Sequence, residues 1–96
     1  MTPRFFAEAR EELEEASAYY EGQREGLGEE FAQEVERAIQ RILDHPEAWP
    51  KVSRMARCCR VERFPFGIVY LILGEELLIV AVMHLRRKPG YWKDRL

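Results

Sequence analysis

The fold turns on residues 66–85, Phe66-Gly67-Ile68-Val69-Tyr70-Leu71-Ile72-Leu73-Gly74-Glu75-Glu76-Leu77-Leu78-Ile79-Val80-Ala81-Val82-Met83-His84-Leu85. This is the most apolar stretch of the chain, and Gly74-Glu75-Glu76 breaks it in two. Neither half approaches the roughly 20 residues that a membrane-spanning helix needs. Short apolar runs, Ile68–Leu73 and Leu77–Leu85, joined by a glycine-containing turn read as two paired strands. Upstream, Arg57–Arg63 (RCCRVER) reads as a mixed strand, and Phe64-Pro65-Phe66-Gly67 as the turn that follows it. Three strands with short connections predict an antiparallel meander.

Both hairpin strands are apolar on both parities, whereas an antiparallel sheet wetted on one side alternates apolar and polar. Each face therefore needs cover. The basic, aromatic tail Arg86–Leu96 (RRKPGYWKDRL), a second copy or another chain are the candidates for the face that helices leave bare. The tail is short, so a partner chain on an exposed apolar face is the expectation.

Working back towards the amino terminus, the period changes to that of helices. Ala9, Leu13, Ala16 and Tyr20 recur at steps of 4, 3 and 4, with Tyr19 beside them. Glu8, Glu11, Glu12, Glu15 and Arg10 are assigned to the solvated side. Gly22, Gly26 and Gly28 punctuate the chain before a second helix with Leu27, Phe31, Val35, Ile39 and Ile42 on one stripe. Glu29 and Glu30 in its first turn and Arg41 late both suit the helix dipole, and His45-Pro46 ends it. The start is open: Thr2-Pro3 fits a helix cap, and Pro3–Phe6 fits a short edge strand.

The chain has 96 residues, 47% hydrophobic and 33% charged, with a formal net charge of −2. That length suits one domain spanning residues 1–96 with one core. Charge is uneven: residues 1–48 carry 13 acidic and five basic side chains, and residues 49–96 carry four acidic and ten basic. Function is therefore expected on the basic half. No apolar leader opens the chain, so a cytoplasmic protein that does not engage a membrane is expected. Cys58 and Cys59, on opposite faces of a strand, are expected to be free thiols. Two thiols with the distant His45 and His84 make no metal set, and neither a metal nor a cofactor is expected.

No catalytic motif of a known hydrolase is present. Arg57, Arg60 and Arg63 on the first meander strand, and Arg86, Arg87 and Lys88 after the last, with Tyr91 and Trp92, are the candidates to grip phosphate and stack a base. Alternatively, the arginines are solvated edge residues that discourage aggregation. His84, placed on one face with Leu78, Val80 and Val82, is a candidate acid or base.

The strings Ala18-Tyr19-Tyr20-Glu21, Gly26-Leu27-Gly28-Glu29-Glu30-Phe31, Arg63-Phe64-Pro65-Phe66-Gly67-Ile68-Val69-Tyr70 and Ala81-Val82-Met83-His84-Leu85-Arg86-Arg87, followed by Pro89 and Trp92, resemble the RelE/ParE toxins of type II toxin–antitoxin modules. The resemblance covers nearly the whole chain. It implies an α+β fold: two N-terminal helices packed on one face of a small curved antiparallel sheet, with a strand before the first helix. It also implies a cognate antitoxin covering the exposed sheet face, in a homodimer or a toxin–antitoxin hetero-oligomer. RelE-like members cut mRNA on the ribosome. For that activity Arg63 and Arg87 match the basic catalytic sites, Tyr91 lies near the tyrosine site, and Tyr91 or His84 would move the proton, with Arg57, Arg60, Arg86, Lys88 and Trp92 on target or phosphate. ParE-like members bind DNA gyrase. Scarce lysine and a mildly acidic total favour the ParE-like reading, with a ribosome-dependent endoribonuclease or a non-toxic homologue as alternatives.

Overall fold

A computed structural model describes all residues, Met1–Leu96. The elements are β1 (Thr2–Phe5), α1 (Ala7–Gln23), α2 (Leu27–Asp44), β2 (Arg57–Arg60), β3 (Phe66–Leu73), β4 (Glu76–His84) and a closing 3-10 turn, Lys93–Arg95. The sheet order is β1-β4-β3-β2. Strands β2, β3 and β4 form the antiparallel meander, and β1 joins β4 in parallel. The sheet is thus mixed, because the chain leaves β1 through the helical hairpin and re-enters at the opposite edge. The opening residues are strand: Phe5 packs under the helices, and α1 begins only at Ala7.

The helices cover one face. Ala9 and Ala16 of α1 and Phe31, Val35, Ala38, Ile39 and Ile42 of α2 pack on Cys59, Phe66, Ile68, Tyr70, Leu77, Ile79 and Val82. The two helices approach closely at Gly28, where a Cβ would collide with the Ser17 carbonyl oxygen. Glu21 joins them: its carboxylate accepts the backbone N–H groups of Gly26 and Gly28, both at 3.0 Å. Those are orphan donors of the α2 amino terminus, which a carboxylate satisfies well.

The second sheet face is covered too, which corrects the expectation of an exposed apolar face awaiting a partner. Trp92 folds back from the tail and is 2% exposed. It packs with Ala56, Cys58, Val69, Leu71, Val80 and Ala81, and Tyr91, Leu78 and Met83 flank that cluster. One large indole at the end of a short tail is enough to close a small face. Cys59 points to the helices and Cys58 to the Trp92 side, and both are free thiols. Burial pushes the Cys58 thiol up to about 11.

The strand read from Arg57–Arg63 ends at Arg60. Arg63 instead has a φ of 72°, a left-handed conformation uncommon for a side chain with a Cβ, and Val61 N–H to Phe66 O at 2.9 Å closes the turn around it. Within β4, pairing shifts between Val69 and Tyr70: Val69 faces Ala81 while Tyr70 faces Ile79, which leaves Val80 as a bulge. A bulge inverts the alternation beyond it. His84 therefore lies on the helix side with Val82, and Leu78 and Val80 lie on the Trp92 side.

Candidate functional site

The bulge falls where β1 has run out. Phe6 N–H to Ile79 O, 2.9 Å, is the last bond from the β1 side. Beyond it β4 has a bare edge, and side chains satisfy it. Glu12 of α1 accepts the Val82 N–H at 3.0 Å, and Arg95 donates to the Val80 carbonyl at 3.0 Å. The two side chains also pair with each other in a bidentate contact, both N–O distances 2.9 Å. Tyr91 donates its hydroxyl to the same Glu12 carboxylate at 2.7 Å, and Arg87 reaches it at 3.4 Å. The guanidinium carbon of Arg87 lies 3.7 Å from the Tyr91 ring centroid. Burial and the Glu12 carboxylate hold the Tyr91 phenol well above the usual tyrosine range.

Beside this cluster, an open groove of about 620 Å³ runs between α1 and the end of β4. Glu12, Glu15, Ala16, Tyr19 and Tyr20 form the helix wall, Pro65, Phe66 and Val82 the floor, and His84, Arg86 and Arg87 the opposite wall. The local chain explains the second wall. Leu85 N–H bonds Pro65 O at 2.9 Å and Arg87 N–H bonds His84 O at 3.0 Å, so residues 84–87 turn back over the sheet edge. His84 Nδ1 accepts the Arg86 N–H at 3.0 Å, and its ring meets Phe66 edge-on at 5.0 Å. Nε2 is thus the nitrogen that carries the ring proton when the imidazole is neutral.

The sequence-derived candidates do not assemble into one centre. His84, Arg86 and Arg87 line the groove, and Tyr91 stands behind it on Glu12. Arg63 is turned to α2, where it pairs with Glu30 at 2.7 Å and Glu34 at 3.6 Å. Arg57 donates to the Trp49 carbonyl at 2.7 Å and holds the loop before β2. Arg60 and Lys88 are solvent-exposed. Trp92 is core, so it has no free face on which to stack a base.

Glu12, the residue on which the arrangement depends, was assigned by charge to the solvated side of α1. Its position contained the opposite signal. It follows Ala9 by three and precedes Ala16 by four, which puts it on the buried stripe. An acid at such a position on a core-facing stripe must meet buried donors, and its donors come from the last ten residues and the β4 edge. Glu34 repeats the pattern on α2: it is buried and answered by Arg37 at 3.1 Å and by Arg63.

Residues 4–89 match the model of a protein family described as the ParE toxin of the type II toxin–antitoxin system, parDE. Among solved structures, the fold is similar to that of the chromosomal ParDE toxin–antitoxin system from P. aeruginosa. The TM-score is 0.63 at 18% identity, over 90% of this chain and 97% of that one. No curated protein matches the chain. No helix is long and apolar enough to cross a membrane.

Proposed function

From the premise that this chain belongs to the ParE toxin family of type II toxin–antitoxin systems, we propose that it stops growth by binding DNA gyrase rather than by cutting RNA. As a toxin of this family it is the counterpart of a cognate antitoxin. The observation that carries the binding reading is the fate of Tyr91. Its hydroxyl is spent on the Glu12 carboxylate at 2.7 Å. General acid–base catalysis needs a group with a pKa near the working pH and within reach of its proton. A phenol that is half-buried and already donating to a carboxylate meets neither condition. Arg63, a basic candidate for phosphate, is bound to two carboxylates of α2. What remains open to a target is the cationic turn Arg86–Lys88 with His84, a surface suited to recognising an acidic protein patch.

The test is induced expression with separate readouts of DNA supercoiling and mRNA integrity, followed by a supercoiling assay with purified gyrase. Loss of supercoiling with intact mRNA is the expected result. Growth arrest with cleaved ribosomal mRNA and normal supercoiling would overturn this reading in favour of an endoribonuclease. Growth without arrest would mark a non-toxic homologue.

A further inference from the structure

We infer that His84 is a protonation-sensitive catch on the cationic turn. Its neutral imidazole holds Arg86, Arg87 and Lys88 in the arrangement that meets the target, and protonation of the ring releases the turn and weakens that contact. The inference rests on the gyrase-binding reading and adds to it the regulation of the same surface.

The catch consists of one turn and one ring. Three consecutive backbone N–H groups follow β4. Leu85 gives its N–H to the Pro65 carbonyl at 2.9 Å, and Arg87 gives its own to the His84 carbonyl at 3.0 Å. The N–H between them, from Arg86, has a side-chain acceptor instead, His84 Nδ1 at 3.0 Å. A side chain that accepts the N–H two residues on is the arrangement that asparagine and aspartate form in turns. Here an imidazole takes that place. An amide oxygen is always an acceptor, whereas an imidazole nitrogen accepts only while it carries no proton. On protonation, the Nδ1–H and the Arg86 N–H face each other as two donors and the contact is lost.

The ring is mounted so that the turn responds and the core does not. Its sheet side rests edge-on against Phe66, the residue opposite His84 in register. Its other side opens on the groove, and the residue is half-buried, so water can deliver the proton. Arg86, Arg87 and Lys88 are exposed. Neither Arg86 nor Lys88 makes an ion pair, and Arg87 has only its long contact to Glu12. With no side-chain tie of its own, Arg86 is held by the bond to Nδ1.

The surrounding charges set the direction. Helix α1 presents Glu12, Glu15, Tyr19 and Tyr20 to the groove, the turn presents Arg86 and Arg87, and the β3 side presents only Pro65 and Phe66. Of these side-chain types and imidazole, only imidazole ordinarily changes charge between pH 5 and 8. Glu12 is occupied by Val82, Tyr91 and Arg95. Glu15 lines the same groove and has no cationic partner, so it is the acid open to the imidazolium once the ring leaves Arg86. A positive charge added to the turn would by itself favour an acidic target. Drawn to Glu15, that charge is neutralised on the helix wall, and the lost order of the turn decides the sign.

The experiment takes the unaltered chain and His84→Asn from about pH 8 to about pH 5.5, across the range in which imidazole titrates. Asparagine supplies an acceptor that does not titrate, and the variant keeps His45, the only other imidazole of the chain. In nuclear magnetic resonance spectra of the free unaltered chain, the His84 ring nitrogens and the Arg86 amide should titrate together. Protection of the Arg86 amide should drop roughly three- to tenfold, the worth of one neutral hydrogen bond. In His84→Asn that amide should stay still. Affinity for purified gyrase, taken as the ratio of unaltered chain to variant at each pH so that titration of gyrase cancels, should fall by a similar factor on acidification. A ring that titrates without moving the Arg86 amide overturns the inference, and so does an amide that moves equally in His84→Asn. A ratio that is flat or rises at low pH also overturns it. The spectra of the unaltered chain decide the matter even where the variant fails to bind or to fold. Absence of gyrase binding at every pH strikes the gyrase reading, while coupled titration of ring and amide still supports the catch.

Discussion

Glu12 and Arg95, 83 residues apart, form a bidentate ion pair at 2.9 Å on both arms, and each also satisfies a backbone group of β4 that no strand reaches. The pair ties the first helix to the last residues across the open sheet edge. It does the work of a missing strand and denies that edge to other chains.

Glu12→Ala should cost about 3–4 kcal/mol, because it leaves Arg95 and the Val82 N–H without their partner in a largely buried place. Glu12→Gln keeps the shape and one acceptor, so it should cost less. For a chain of this size each kcal/mol moves Tm by roughly 4–8 °C, which thermal unfolding resolves easily. Equal melting of the two variants and the unaltered chain would show the pair to be energetically idle.

Trp92→Ala should cost about 3–5 kcal/mol, the usual penalty for removing a buried indole. It also uncovers Val69, Leu71, Val80 and Ala81. Binding of a hydrophobic dye and a tendency to self-associate should appear with the loss of stability in urea. Trp92→Phe refills part of the space and should lie between.

Two glycines of the helical hairpin should respond in opposite directions. A Cβ at Gly28 meets the Ser17 carbonyl oxygen and the Glu21 side chain, so Gly28→Ala must push α1 and α2 apart and should cost about 1–3 kcal/mol. Gly22 lies in α1 with nothing within 4 Å of the corresponding point. Gly22→Ala should therefore stabilise, by up to about 0.5–1 kcal/mol, through helix propensity. Denaturant midpoints with unchanged slopes would check both.

The contact with Arg63 holds the Glu30 carboxyl below its usual value of 4.5. The folded chain thus gives up this proton more readily than the unfolded chain. The resulting stability is present above about pH 4.5 and is lost as the pH falls through the lower folded value. Arg63→Ala should flatten that part of the stability–pH curve and leave the neutral side nearly parallel to that of the unaltered chain. An identical acid limb in the two proteins would contradict the assignment.

Much of the architecture was legible because hydrophobic period is a local property. The stripe Phe31, Val35, Ile39, Ile42 and the glycine-broken run 66–85 declare a helix and a hairpin whatever surrounds them. The meander follows from loops too short for any other connection. Even the need to cover both sheet faces could be read from strands apolar on both parities. The site was less legible. Arg63 looked like a strand residue aimed at phosphate, but a left-handed turn delivers it to α2. His84 keeps its place beside Val82 but parts from Leu78 and Val80, because one bulged residue, Val80, reverses the alternation after it.

Sequence alone thus determined the helical hairpin, the meander, the uneven charge and the family strings that carry the toxin reading. Tertiary structure alone decided which face Trp92 closes, that β1 runs parallel to β4, and that Glu12 gathers Arg87, Tyr91 and Arg95. The physical reason is range. Period and turn chemistry act between residues three or four positions apart. A carboxylate's partner is chosen by whichever donors the finished fold brings within 3 Å, and here they come from the opposite end of the chain.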